Sequence, residues 1–202
     1  MLALCLVPSC RLFDATGKDR PDAGDGARFV WRLEGYTNSG LPFHGAGTIY
    51  YLGFRHELTA VRSGDGALQW SIRLPVDRPR TVGDGGVSLG DKLIVGDEDI
   101  FALRASDGSL LWRFDPEDGV DVGRLIPVMW NDLVLAGSSN GYVFAIDAES
   151  GELRWKTRLA TSPIVGVWLG GVADAVLYVG VTDFSISPNG EPQGSVGALD
   201  AA

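Results

Sequence analysis

The chain has 202 residues, 45% of them hydrophobic and 21% charged, and 17 Lys+Arg against 26 Asp+Glu leave a net charge of −9. The apolar content excludes a wholly disordered chain, and the acidic balance disfavours phosphate backbones, so no nucleic-acid partner is expected. No run approaches the ~18 apolar residues of a helical membrane span; the 28 glycines, spread along the chain with six Trp, predict many short strands joined by tight turns.

Residues 1–25 read as a signal-like N-terminus and linker. Both cysteines, Cys5 and Cys10, lie there, so the body is predicted to hold no disulfide, thiolate metal site or catalytic thiol. Residues 2–7 are apolar, and Val7-Pro8-Ser9-Cys10 resembles a degenerate lipobox, the processing site of bacterial lipoproteins. That resemblance implies lipidation at Cys10 and attachment to a membrane through the acyl chains. Pro8 departs from the pattern, and the other reading is an N-terminus with two incidental thiols. The next strand is predicted over residues 26–33, with Phe29, Trp31 and Leu33 on one face and Arg28, Val30 and Arg32 on the other.

From there the chain repeats. Ala60, Ala102 and Ala145 each precede a glycine by six residues (Gly66, Gly108, Gly151), and each glycine precedes a tryptophan by four (Trp70, Trp112, Trp155). The tryptophans recur at intervals of 42 and 43 residues, and a fourth copy opens at Ala198. The repeat cores lie near 48–74, 90–115, 131–159 and 175–202. The Ser-Gly-Asp-Gly, Ser-Asp-Gly and Glu-Ser-Gly stretches are turn chemistry, because glycine tolerates the positive φ of a tight hairpin. After each turn the residues alternate, placing Leu68, Trp70 and Ile72 on one face, and likewise Leu110 with Trp112 and Leu153 with Trp155. One apolar face at period two predicts a half-buried outer strand. Leu93-Ile94-Val95 and Leu133-Val134-Leu135 are instead continuous apolar runs, as strands covered on both faces require.

A unit of 40–45 residues and about four strands, unable to bury both faces alone, is a propeller blade. The expected fold is therefore an all-β propeller of about four antiparallel blades over residues 26–202. Trp70, Trp112 and Trp155, with Gly66, Gly108 and Gly151, are expected to dock blade on blade.

The copy Ala145-Ile-Asp-Ala-Glu-Ser-Gly-Glu-Leu-Arg-Trp155 resembles the Ala-x-Asp-x-x-x-Gly-x-x-x-Trp signature of the pyrroloquinoline-quinone-type β-propeller repeat family. Arg62 and Arg104 stand where the signature has Asp147. The resemblance implies either a quinoprotein alcohol or glucose dehydrogenase, holding the quinone and Ca²⁺ in a central channel, or a non-catalytic propeller such as the outer-membrane β-barrel assembly lipoprotein. No adjacent Cys-Cys pair and no Cys-x-x-Cys-His haem site occurs. Four units also fall short of the seven or eight blades usual for that family, so an open or incomplete ring is expected. The segment 26–33 matches the strand that the fourth copy lacks; closure within the chain and pairing between two chains are both open to it.

The fourth unit carries an insertion over residues 183–194, rich in Pro, Gly and Ser, and Phe184, Pro188, Asn189 and Pro192 form the candidate contact loop. Asp97-Glu98-Asp99 and the acidic stretch around Asp115 lack calcium-loop spacing and read as solvated turns. His44 and His56 have no ligand-spaced partner. The expected function is a non-enzymatic protein-interaction scaffold of the bacterial cell envelope, with protein partners, self-association of an incomplete ring, and no catalytic, metal or cofactor residues. Under the alternative, a fragment of a quinoprotein dehydrogenase, the quinone and Ca²⁺ would be bound.

Overall fold

The computed structural model describes residues 30–32, 40–76, 85–116, 126–160, 165–183 and 193–200. Cys10 and the candidate contact residues Phe184, Pro188, Asn189 and Pro192 lie outside them. The described strands are β1 (Phe43–Gly45), β2 (Thr48–Gly53), β3 (Glu57–Arg62), β4 (Leu68–Arg73), β5 (Gly85–Leu89), β6 (Lys92–Gly96), β7 (Ile100–Arg104) and β8 (Leu110–Phe114). They continue as β9 (Val128–Trp130), β10 (Leu133–Gly137), β11 (Tyr142–Asp147), β12 (Leu153–Arg158), β13 (Val165–Ala173), β14 (Val176–Asp183) and β15 (Gln193–Asp200). Among the described residues the only helical element is one 3₁₀ turn, Phe54–His56.

The strands make four antiparallel sheets, each an up-and-down meander in chain order: β1-β2-β3-β4, β5-β6-β7-β8, β9-β10-β11-β12 and the three-stranded β13-β14-β15. Each sheet is one blade, numbered 1 to 4. The fold is the expected all-β propeller, an open one of four blades.

Period-two alternation in the second and third strands of each blade explains the stacking, since successive side chains serve different neighbours. Leu93, Val95, Phe101 and Leu103 of blade 2 pack on Tyr50, Leu52, Leu58 and Ala60 of blade 1, forming seam 1. The residues between them, Ile94, Ile100 and Ala102, turn the other way and meet Val134, Ala136, Phe144 and Ile146 of blade 3 in seam 2. Leu135, Val143 and Ala145 then meet Val167, Leu177 and Val179 of blade 4 in seam 3. A continuous apolar run is what a strand serving two seams requires.

The outer strands differ from their expected alternation. In blade 1, Trp70 pairs with Ala60 but Leu68 pairs with Val61, so the register slips by one residue at Gln69. The same slip falls at Leu111, between the pairs Ala102–Trp112 and Leu103–Leu110, and at Arg154, between Ala145–Trp155 and Ile146–Leu153. A β-bulge inserts one unpaired residue and shifts everything beyond it to the opposite face. Leu68, Leu110 and Leu153 therefore do not share the tryptophans' face, and all three are exposed.

The turn before each bulge is built identically. The amide of the motif's third residue donates across the turn (Arg62 to Ala67, Arg104 to Ser109, Asp147 to Glu152), and its carbonyl accepts from the motif glycine. Those glycines sit at φ +71°, +73° and +77°, in the left-handed region that disfavours a Cβ.

Candidate functional site

The repeated chemistry lies where one blade meets the next. The indole of Trp70 lies over Gly108 and that of Trp112 over Gly151, with ring atoms at 3.0 and 2.7 Å from where a Cβ would stand. Each indole N–H donates to the carbonyl three residues before that glycine: Trp70 Nε1 to Ala105 at 3.0 Å, Trp112 Nε1 to Ala148 at 3.2 Å. Only glycine leaves room for the ring, and the hydrogen bond satisfies the one polar atom that the ring buries. Trp155 packs against the buried cluster of seam 3; the sequence position equivalent to Ala105 and Ala148 is Ala201, outside the described residues.

Trp31 makes the same contact one step earlier. Its ring lies over Gly66, 2.8 Å from the Cβ position, and its Nε1 donates to the Ser63 carbonyl at 2.7 Å. Trp31 thus stands to blade 1 as Trp70 stands to blade 2. The alternation over residues 26–33 points to an outer strand, but not to the glycine on which it would rest.

Electrostatics tie the turns to the seams. In blade 3, Asp147 Oδ1 accepts from the amides of Glu149 and Ser150 and from the Ser150 hydroxyl, while Oδ2 accepts from the Arg154 guanidinium. The Arg154 contact above all, then the Ser150 donors, hold the Asp147 carboxyl far below the ordinary carboxylate range. Blades 1 and 2, with Arg62 and Arg104 at that position, move the acid three residues on. Asp65 accepts from the Ala67 amide and Asp107 from the Ser109 amide, and these backbone donors lower both carboxyls. Lys92 of blade 2 crosses seam 2 to the Ala148 carbonyl at 2.8 Å and to Glu149 at 2.6 Å.

A depressed folded pKa contributes stability that is present above the unfolded value of 3.8 and lost as pH falls through the lower folded value. Asp147→Asn is therefore expected to lower the thermal midpoint at pH 7. The gap to wild type should narrow below pH ~4, where unfolded aspartates protonate. Melting curves from pH 2 to 7 check this; a gap that stays constant with pH would refute it.

Asp97-Glu98-Asp99, expected as a solvated turn, is buried: Asp97 is 0% exposed and its two neighbours 1% each. Asp97 meets Nδ1 of buried His56, from blade 1, at 2.6 Å, and Asp99 accepts from Arg113 Nε at 2.6 Å. His56 and Arg55 both hold φ of 63°, a strained conformation for residues with a Cβ. The pair latches blade 1 to blade 2 at the end of seam 1. Sequence reading missed it because its two members are 41 residues apart, on different blades. Among the described residues no group of three or more His, Cys, Asp or Glu is arranged to hold a metal ion.

The forward face of blade 4 is bare. Val196 occupies the position of Leu58, Ile100 and Val143, each fully buried in the seam to its next blade, yet Val196 is 87% exposed. Tyr178 occupies the position of Tyr50, Ile94 and Leu135, which are at most 2% exposed, and is itself 48% exposed. Trp168, opposite Gly180 in the pairing, and Ala198, opposite Tyr178, extend this exposed face.

Comparison with known proteins places this geometry. The family model described as outer membrane protein assembly factor BamB matches residues 19–175. The BamB of Yersinia pestis is 28% identical over 115 residues, 52% of this chain and 29% of that protein. The quinohemoprotein alcohol dehydrogenase ADH-IIG of Pseudomonas putida is 31% identical over 107 residues, 46% of this chain and 14% of that enzyme. The crystal structure of BamB from Moraxella catarrhalis superposes with a TM-score of 0.62 at 18% identity, covering 84% of this chain and 48% of that one. The chain thus spans less than half the length of each of these relatives.

Proposed function

The chain belongs to the outer membrane protein assembly factor BamB family, whose model matches most of its length, and from that premise we infer that it is a non-enzymatic interaction scaffold of the bacterial cell envelope serving outer-membrane protein assembly. The observation that carries this reading is the extent of the match: residues 19–175 take in blades 1 to 3 whole and the first strand of blade 4. The way the inner strands are used supports it, because their side chains are spent on the seams. Partner binding then falls to the rim, with the 183–194 connection between β14 and β15 as the contact loop, and Cys10 as the point of lipid attachment.

A photo-crosslinker at Asn189, in cells, tests the reading. The expected product joins the chain to another envelope protein, and the chain fractionates with membranes unless Cys10 is replaced by Ser. Crosslinks confined to cytosolic proteins would overturn it.

The likeness to ADH-IIG favours one other reading, a portion of a quinoprotein dehydrogenase. Purified chain supplied with pyrroloquinoline quinone and Ca²⁺ is expected to show no dye-linked oxidation of alcohols or glucose. Turnover with saturable quinone binding would establish the dehydrogenase reading instead.

A further inference from the structure

The strands β4, β8 and β12 stand at the outer ends of their sheets, and one place on them differs in charge from blade to blade. Directly after the motif tryptophan come Ser71, Arg113 and Lys156, and two residues further on Arg73, Asp115 and Arg158. On the neighbouring strand, three residues before the motif alanine, stand Glu57, Asp99 and Tyr142. Blades 1 and 2 supply an acid of their own there. Glu57 accepts from the Ser71 hydroxyl at 2.8 Å and lies opposite Arg73 in the ladder. Asp99 accepts from Arg113 Nε at 2.6 Å, and Asp115 meets the same guanidinium at 3.3 Å. Blade 3 has Tyr142 in place of the acid and a cation at both outer positions. Lys156 Nζ lies 5.8 Å and Arg158 Cζ 5.4 Å from the centre of the Tyr142 ring, and both cationic side chains are exposed. A ring face attracts cations, but a phenol neutralises neither charge. Arg154, the third cation of β12, is engaged by Asp147.

We propose that the β12 edge binds an extended acidic segment of a partner protein, which adds to blade 3 as a fifth strand with carboxylates at alternate residues facing Lys156 and Arg158. Residues two apart on a strand share a face, so alternate acids on an incoming strand match the spacing of the two cations. The edge amides and carbonyls of β12 provide main-chain bonds, and charge selects the partner. Two β12 edges would set like charges against each other, which turns a second copy of the chain away from this edge. The net charge of −9 likewise opposes an anionic membrane surface, while one acidic strand is narrow enough to cover the cationic strip alone. This inference goes beyond the scaffold reading and does not rest on it, since a binding edge on blade 3 serves an enzyme as readily as a scaffold.

Fluorescence anisotropy with the purified chain and a labelled peptide alternating Asp with Val tests it. Saturable binding that weakens as salt rises is expected, and the same residues with the acids in one block should bind more weakly. Lys156→Glu with Arg158→Glu should reduce affinity about tenfold or more, whereas Arg73→Glu, at the matching place on blade 1, should leave it unchanged. Hydrogen exchange on the unaltered chain gives a second measurement that needs no variant: the peptide should slow exchange in β12 and not in β4 or β8. Equal affinity for the alternating and blocked peptides, full affinity in the double variant, or protection of β4 or β8 in place of β12 would each overturn the proposal. So would binding of phosphatidylglycerol vesicles without binding of the peptide.

Discussion

Trp112→Ala is expected to lower the free energy of unfolding by about 3–5 kcal/mol, the usual cost of emptying a buried aromatic site, measured by urea titration. Trp112 is 8% exposed and belongs to the cluster that joins blades 2 and 3. Its removal withdraws the ring from Gly151, leaves the Ala148 carbonyl without the indole donor, and opens a cavity beside Ile94, Val134 and Ile146. The Ala148 carbonyl keeps Lys92 as a second donor, which sets a limit on that part of the loss. Trp155→Ala should cost less, because Trp155 is only partly buried and lies over no described glycine. Equal losses at the two positions would show that the indole–glycine contact contributes nothing beyond apolar burial.

The second large effect lies on the other side of the same contact. Gly151→Ala is expected to cost about 2–4 kcal/mol, from two penalties that act together. The backbone there has φ of +77°, a region costing a residue with a Cβ about 1–2 kcal/mol. The new methyl would stand 2.7 Å from the Trp112 ring, and overpacking of this kind costs about 1–3 kcal/mol. The double variant separates them: with Trp112 already Ala, the steric part vanishes and only the backbone penalty remains. Strict additivity of the two single losses would refute the proposed contact, since touching residues couple.

The fold was legible because its cause is periodic. The Ala-to-Gly-to-Trp spacing, the turn residues and the continuous apolar runs each answer to a local requirement: a positive φ, a ring over a glycine, a strand covered on both sides. Reading failed where the cause was not local. Alternation assumes an unbroken ladder, so Leu68, Leu110 and Leu153 were expected beside the tryptophans, and only cross-strand register shows the slipped residue. Charge patterning assigns an acidic triplet to solvent, and Asp97-Glu98-Asp99 was expected there. Its burial depends on His56 and Arg113, which sequence spacing does not connect to it. Among the candidate site residues, the tryptophans and glycines could be found by counting. Trp31 could not, because no Ala-x-x-x-x-x-Gly run precedes it at the interval the other three share.

The slipped residue in each outer strand has its own consequence. Gln69, Leu111 and Arg154 fill that place in three successive blades, an amide, an aliphatic chain and a cation. Standing outside the cross-strand pairs, the position is tied to its own blade in two of the three: Gln69 accepts from the Thr48 hydroxyl, and Arg154 donates to Asp147. Substitution at the exposed Leu111 can therefore recolour the circumference of the molecule over an inherited architecture, whereas a change at Arg154 also releases the Asp147 carboxylate that the turn of blade 3 is built around.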